Sequence, residues 1–235
     1  MSKNDKEFYY GINNEDGTLV RGGVFERFPK LIPAVGENYW REDGRHKKML
    51  LVGESNYFKK EMENQSVFLN PEEWYKGDTD KLIPESKVKA VSNWTGHNKF
   101  VDNLFNPALD VLRQAGINII SPHKALDEFC FYNYYLRPAL DKGRNKSLDA
   151  VHLDSEVAGL ALSEIIKRLE LELVVFVSKK AYKDFCEYMT RHNISYNMPI
   201  EWVNHPAHEG WNKNDGAEGH QKFRDILNKY WINKL

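Results

Sequence analysis

Five functional side chains follow a short apolar run near residue 50, and their types are ones that bind or react. The run Met49–Val52 is short enough for a buried strand, and Gly53 after it permits a sharp turn. The carboxylate, hydroxyl, amide, phenol and phenyl groups that come next belong to Glu54, Ser55, Asn56, Tyr57 and Phe58. Ligands of open parallel sheets bind just beyond the carboxyl ends of the strands. The segment therefore predicts a functional site; the alternative is a strand that ends in an ordinary polar turn.

Three later runs, 128–135, 171–177 and 200–204, are also predicted as strands, and each carries polar residues in it or directly after it. These residues are Asn133, Tyr134 and Arg137 in or after the first run, Ser178 and Lys179 after the second, and His205 and His208 after the third. Carboxyl ends of parallel strands lie along one edge of a sheet, so we expect these groups to surround one pocket with Glu54. Two histidines in one loop without a clear third ligand do not predict zinc, and no metal or cofactor is expected.

Helical patterns separate the predicted strands, and this alternation indicates the fold class. The first strand is predicted at 48–53. Helices are predicted at about 98–115, from Asp154 or Ser155 to about 169, at 180–192 and at 216–231. Pro107 predicts a kink or break in the first helix, and Gly116 predicts its end. Strands that alternate with helices form parallel βαβ units. The sequence therefore predicts an α/β fold, a three-layer α/β/α domain with a central parallel sheet of about four strands.

The rest of the chain is predicted to surround this sheet within a single domain, residues 1–235. Residues 1–47 form an irregular arm whose aromatic side chains are expected to fasten it to the core: Tyr9, Tyr10, Phe25, Phe28, Tyr39 and Trp40. Residues 59–93 have a mixed composition and are predicted to be a long excursion with short helices. Insertions of this kind are often lids or binding loops.

Composition narrows the class of protein. The net charge of −1 gives no overall basic footprint for nucleic acid. Local basic clusters at Lys59–Lys60, at 142–146 and at Lys213 are either a binding patch or ordinary solvated surface. The two cysteines cannot form a four-cysteine metal site or a disulfide framework. No apolar signal core and no run of about 18 apolar residues occur, so we expect a soluble, cytoplasmic protein that does not contact a membrane.

Four motifs occur in a fixed order between Lys48 and Leu235. They are Gly-Glu-Ser-Asn-Tyr at 53–57, Phe-Tyr-Asn at 131–133 followed by Arg137-Pro138, the segment 174–181, and His-Pro-Ala at 205–207. This order resembles the uracil-DNA glycosylase superfamily. The family has Gly-Gln-Asp-Pro-Tyr or Gly-Glu-Ala-Pro-Gly at the first motif, a base-recognising asparagine and an Arg-Pro segment at the second, and His-Pro-Ser at the last. The third motif is similar to the family's strand and helix start before that last motif.

The resemblance implies a divergent DNA glycosylase-like hydrolase that cleaves the N-glycosidic bond of uracil or another damaged base in DNA. Such cleavage passes through an oxocarbenium-like sugar and leaves negative charge on the base. By this resemblance, Glu54 stabilises the cation and orients water, while His205 stabilises the departing base. Asn133 recognises the edge of the base, and Tyr57 or Phe58 stacks on it once it is flipped out of the helix.

The resemblance extends the substrate-binding set to Gly53, Ser55, Asn56, Ser178, Lys179, Ala207 and His208. Three of these positions depart from the family. Ser55 stands where several branches have an Asp or Asn that positions water, Asn56 replaces a proline, and Ala207 replaces a serine that commonly contacts phosphate.

Two other functions fit the same residues. One is a non-catalytic module that uses the pocket to bind a nucleobase, a nucleotide or nucleic acid. The other is an unrelated α/β hydrolase that acts on small metabolites. The expected partner is therefore DNA, single-stranded or duplex, or a nucleobase or nucleotide.

Overall fold

The central element of the protein is a five-stranded, mostly parallel sheet. A computed structural model describes residues 24–41, 44–58, 66–84, 99–117, 119, 122–140, 148–206, 211 and 219–233. The strands are β1 (Ala34–Val35), β2 (Met49–Phe58), β3 (Cys130–Leu140), β4 (Leu173–Phe176) and β5 (Ile200–Trp202). Their order is β1-β3-β2-β4-β5. Strands β3, β2, β4 and β5 are parallel, whereas β1 pairs antiparallel with β3. The expected α/β class is confirmed, and β1 is an additional strand that the apolar pattern did not predict.

Six α-helices are described. They are α1 (Val24–Arg27), α2 (Pro71–Lys76), α3 (Lys99–Gln114), α4 (His152–Arg168), α5 (Lys179–Arg191) and α6 (His220–Ile226), and α6 continues into a π-helical turn, Leu227–Trp231. Short 3₁₀ segments occur at Pro29–Leu31, Ser66–Phe68, Asp80–Leu82 and Pro122–Glu128. None of these described helices combines the length and the apolar character needed to cross a membrane.

The side chains of β2 alternate between two clusters, one on each face of the sheet, so the sheet lies between two layers of helices. Leu50 and Val52 pack in a cluster with α4 and α5, whereas Met49 and Leu51 pack in a second cluster with α3 and α6. Successive side chains of a strand point to opposite faces, so a continuous apolar run buries both faces of the sheet. The helices therefore cover the sheet on both sides.

Strands β2 and β3 extend beyond the predicted ranges 48–53 and 128–135. They pair from Leu50 opposite Cys130 to Phe58 opposite Leu140, with one irregularity between Ser55 and Tyr57. The prediction that Gly53 turns the chain is wrong, because Gly53 lies inside β2 opposite Asn133. Ladder hydrogen bonds between parallel backbones do not depend on apolar side chains, so the pairing continues into polar sequence.

The predicted end of the second strand at residues 136–138 is also wrong. β3 continues through Pro138 to Leu140. Proline lacks a backbone N–H and is tolerated where a strand has a partner on one side only. Among the described strands, β1 pairs with β3 at Cys130 and Phe131 alone, so the outer side of β3 has no strand partner at Pro138.

Helix boundaries show two corrections and one confirmation. Of the kink or break predicted at Pro107, the break is wrong, because helix α3 continues through this residue. The helix ends as predicted, with Gly116 at a φ of +76°. Helix α4 begins at His152, before the predicted caps, because Asp154 lies one turn in and its Oδ2 accepts a 2.9 Å hydrogen bond from the Val151 N–H. Helix α6 begins at His220 and its predicted last turn is π-helical.

The described part of the arm is fastened by aromatic residues, as predicted. Phe25, Phe28 and Tyr39 are almost fully buried. The Phe28 ring stacks on Trp74 of the excursion, and the Tyr39 hydroxyl donates a 2.6 Å hydrogen bond to the Leu169 carbonyl. The short helices expected in the excursion are present in its described part, residues 66–84. Tyr9, Tyr10, both ends of the excursion and the predicted basic clusters at Lys59–Lys60, 142–146 and Lys213 lie outside the described residues.

A buried ion pair joins β3, α4 and the excursion. Arg137 donates to both oxygens of Asp154, from Nε at 2.8 Å and from Nη2 at 2.6 Å. Its Nη1 donates to the Phe68 carbonyl at 3.0 Å, and the Tyr75 hydroxyl donates to Asp154 Oδ1 at 2.9 Å. Asp154 is fully buried. The Arg-Pro segment singled out in the sequence therefore holds the scaffold behind the site together.

Candidate functional site at the carboxyl edge of the sheet

Gly53 and Asn133 face each other on β2 and β3. A Cβ at residue 53 would overlap Asn133 Oδ1 and would lie 3.0 Å from Cζ of Phe131. Only glycine leaves room for the amide at this point. Asn133 Nδ2 donates a 3.0 Å hydrogen bond to Asn56 Oδ1. The structure thus brings Gly53, Asn56 and Asn133, which were predicted from two separate motifs, into contact.

Ser55 has a buried hydroxyl beside this contact. The residue is 4% exposed, and in the described structure its Oγ has no hydrogen-bond partner. Leaving a buried hydroxyl unpaired costs about 1–3 kcal/mol, and native proteins seldom tolerate it without a reason. Ser55 lies opposite Tyr135, two residues beyond the Gly53–Asn133 pair on each strand. A ligand that reaches this edge can supply the missing partner.

Glu54 is held by the start of helix α5. The Ser178 hydroxyl donates a 3.0 Å hydrogen bond to Glu54 Oε2, and the same Oγ caps α5 by accepting from the Ala181 N–H at 3.3 Å. Because a hydroxyl has one hydrogen, these two bonds fix its orientation. Lys180 Nζ lies 3.9 Å from Glu54 Oε1. The carboxylate is therefore oriented by the helix cap and by one ammonium group.

Glu54 and Asn133 belong to opposite faces of the sheet. Gly53 and Glu54 are consecutive in β2, so their side-chain directions are opposite. Phe131, next to Gly53, packs with α3 and α6, whereas Glu54 contacts the cap of α5, which packs on the other face. A ligand that touches both groups must cross β2 where this strand extends beyond the end of β4.

Two aromatic residues follow the polar group on β2. Tyr57 is partly exposed; burial, and then the negative charge of Glu54, raises the pKa of its phenol to about 12, so it stays a neutral hydrogen-bond donor at pH 7. Phe58 is 3% exposed and packs edge-on against Phe68 at 5.4 Å between ring centroids. Tyr57 is the more accessible of the two predicted stacking residues.

His205 is partly exposed and follows β5 by three residues. The next carbonyl, of Pro206, accepts a 2.5 Å hydrogen bond from Asn103 of α3. Strands β4 and β2 separate β5 from β3, at about 4.8 Å per strand. The convergence of His205 with Glu54 and Asn133 stays a prediction. Ala207 and His208 lie outside the described residues, and within those residues no three potential metal ligands gather.

Two cavities border the edge. One of about 30 Å³ lies beside Asn56 and Asn133 and is also lined by the arm residues Lys30, Leu31, Ile32 and Ala34. It has room for water. A wider groove of about 490 Å³ lies on the α5 side, lined by Tyr135, Ala150, Ser155, Lys179, Lys180, Lys183, Asp184 and Glu187.

Two residues at this edge, Lys180 and Tyr135, were not predicted from the sequence as site residues. Lys180 Nζ lies 5.8 Å from the centroid of the Tyr135 ring, close to Glu54. Burial, and then Asp184, with which Tyr135 shares a hydrogen bond, raises the pKa of its phenol well above the usual value. Lys180 is the first residue of the helix predicted after the strand at 171–177, and this position at a strand-to-helix junction is a usable signal. Tyr135 gave none, because aromatic residues are common inside strands.

No protein-family model matches the chain, and no curated protein matches its sequence. What the fold and the site define is a class: an α/β protein with a mostly parallel sheet and a polar cluster just beyond the carboxyl end of β4, where the longer strands β2 and β3 continue.

Proposed function

We propose that this protein is a divergent DNA glycosylase-like hydrolase that cleaves the N-glycosidic bond of uracil or another damaged base in DNA. The observation that carries the proposal is the close contact of Asn133 with Gly53, which fixes an amide at the carboxyl edge of the sheet. An amide both donates and accepts, which suits the edge of a pyrimidine. Asn56 takes one of the two Nδ2 hydrogens, so the amide keeps a donor for a base.

Glu54 has the proposed role of stabilising the sugar cation. Ser178 and Lys180 hold its carboxylate at the same edge. A fixed negative charge there lowers the energy of an oxocarbenium-like transition state and orients the attacking water. In this mechanism His205 stabilises the negative charge on the departing base, and the Tyr57 ring stacks on that base.

The geometry limits how a base can bind. Pockets for organic ligands enclose roughly 300–1,000 Å³, and the cavity beside Asn133 has only about 30 Å³. The base must therefore lie across the open edge of β2, or the arm wall at residues 30–34 must shift. The first arrangement also suits the positions of Glu54 and Asn133 on opposite faces of the sheet. A nucleotide that lies over the edge presents its base to Asn133 and its sugar to Glu54.

Base release tests the proposal directly. Single-stranded and duplex oligonucleotides that contain uracil or another deaminated base are incubated with the protein, and abasic sites are detected by alkaline cleavage. We expect release by the natural sequence and a loss of at least about 100-fold in Glu54→Gln, the usual scale for removing an acid–base group, with oligonucleotide binding retained. Glu72→Gln, the same change at an exposed position of α2, is the control. Undiminished release by Glu54→Gln would refute the assignment.

The second candidate function is a non-catalytic module that binds a nucleobase or nucleotide. The observation in its favour is that Ser178 and Lys180 each approach one oxygen of Glu54, as they would in a purely structural clamp. This module would release no base from any substrate of the panel. It would still bind nucleobases or nucleotides, and Asn133→Asp would weaken that binding, because the change removes the amide donor.

A further inference from the structure

Four lysines continue the candidate site along the carboxyl edge towards β5. Lys179, Lys180 and Lys183 lie in the first turns of α5 and line the 490 Å³ groove, and Lys222 lies in the first turn of α6. We call these four residues the lysine row. The row adjoins Glu54, since Ser178 directly precedes Lys179 and Lys180 Nζ lies 3.9 Å from Glu54 Oε1.

Trp202, the last residue of β5, draws two of these lysines together. Lys179 Nζ lies 4.5 Å and Lys222 Nζ 3.9 Å from the centroid of the indole ring. Each contact is a cation–π attraction, but the two ammonium groups repel each other. A phosphate that approaches Trp202 meets two positive charges and offsets this repulsion. The Tyr182 ring lies 6.1 Å from the indole, so a second aromatic side chain stands beside the row.

The charges around the row favour a narrow anionic ligand. The amino end of α5, a helix of 13 residues, adds its own positive dipole to Lys179 and Lys180. Asp184 and Glu187 line the same groove as the three lysines of α5, and Glu201 precedes Trp202. These carboxylates limit the positive charge to the lysines of the row. A duplex presents two phosphate backbones, whereas a single strand presents one.

We propose that the lysine row binds the phosphates of a single nucleic-acid strand that runs from β5 to the candidate site on β2. Proteins bind single strands by combining a positive track with aromatic rings, and Trp202 and Tyr182 supply the rings here. The proposal rests on the proposed function and deepens it by naming the form of the substrate. It also explains how a chain with a net charge of −1 holds DNA.

The test measures binding without any chemistry. A labelled 12-nucleotide oligothymidine strand and its duplex with oligoadenosine, both undamaged, are titrated by fluorescence anisotropy at several salt concentrations. We expect the single strand to bind more tightly than the duplex. In the double variant Lys179→Gln/Lys222→Gln, we expect single-strand affinity to fall at least about tenfold, and the salt slope to fall by about 0.7 for each lost phosphate contact. Lys167→Gln, the same change at an exposed position in the last turn of α4, is the control and should bind as the natural sequence does.

The outcomes separate this proposal from the function on which it rests. Equal affinities of the double variant and the control would overturn the lysine row, even if base release is observed. A preference for duplex that the double variant retains would overturn it as well. If binding depends on the two lysines but no base is released from any substrate, the row is supported and the glycosylase is not. Thermal unfolding at the same temperature for both variants checks that they are folded.

Discussion

Ser178 and Ser55 both lie at the carboxyl edge of the sheet, and their hydroxyls are in opposite situations. Ser178 Oγ accepts the Ala181 N–H and donates to Glu54, whereas Ser55 Oγ is buried without a partner in the described structure. The first hydroxyl stabilises the fold. Removing the second hydroxyl costs the fold no hydrogen bond among the described residues.

Replacing each serine by alanine should therefore affect the free energy of unfolding differently: only the Ser178 substitution should lower it. We expect Ser178→Ala to lower the free energy of unfolding by about 0.5–2 kcal/mol, since it removes a helix cap. We expect Ser55→Ala to leave that free energy unchanged or to raise it by about 1 kcal/mol, since it removes an unpaired hydroxyl. Urea unfolding at constant m-value measures both. A loss of stability in Ser55→Ala as large as in Ser178→Ala would show that Ser55 has a structural partner.

The contact between Gly53 and Asn133 can be tested by a double-mutant cycle. Gly53→Ala should destabilise the protein, because its Cβ would overlap Asn133 Oδ1. The same substitution in an Asn133→Ala background should cost less, because the amide that it meets is gone. We expect a coupling energy of about 0.5–3 kcal/mol, the range for residues in contact. Additive effects in urea unfolding would mean that Asn133 turns away from β2 in solution.

Among the secondary-structure elements, periodicity predicted the four parallel strands and most helix positions, because continuous apolar runs and helical stripes report burial directly. It missed β1, since a strand of two residues has no period. It also ended β2 at Gly53, because glycine marks a turn and a close approach of two segments equally well. Partners 77 residues apart, such as Asn56 and Asn133, can be known only once β2 and β3 are paired. The candidate site was therefore predictable as a list of residues and not as an arrangement.

The ion pair of Arg137 and Asp154 joins three elements, and its loss should be costly. Asp154→Asn removes the charge that neutralises a buried guanidinium, and breaking one partner of such a pair typically costs about 3–5 kcal/mol. The matched control is Glu156→Gln on the same helix, where the pair with Arg191 at 2.8 Å is solvent-exposed and should contribute less than about 1 kcal/mol. Thermal and urea unfolding compare the two variants. Equal losses in the free energy of unfolding of Asp154→Asn and Glu156→Gln would mean that water reaches Arg137.

At the scale of the whole molecule, two glutamates, one buried and one half-buried, respond to pH in opposite ways. Glu128 precedes β3 and accepts hydrogen bonds from His46 Nε2 at 2.9 Å and from Asn38 at 2.6 Å, which ties the arm to the sheet. Burial raises the pKa of Glu128, but the hydrogen bonds and charges of its partners lower it by more. The net pKa therefore lies below the ordinary 4.5. Burial raises the pKa of Glu164 on α4, and Arg168 only partly opposes this.

The sign of each shift predicts how stability depends on pH. A lowered pKa in the folded state means that Glu128 stabilises the fold above pH 4.5 and loses this contribution as the pH falls through its folded pKa. A raised pKa means that ionised Glu164 destabilises the fold at neutral pH, and that protonation removes this cost as the pH falls. We therefore expect Glu128→Gln to be less stable, and Glu164→Gln more stable, than the natural sequence at pH 7. In urea titrations at a series of pH values, the Glu164 difference should shrink as the pH falls towards 4.5, and the Glu128 difference should shrink only below pH 4.5. Because the two variants carry the same chemical change, a common shift would reflect net charge alone, and only shifts of opposite sign would show that the partners around each carboxylate set the stability.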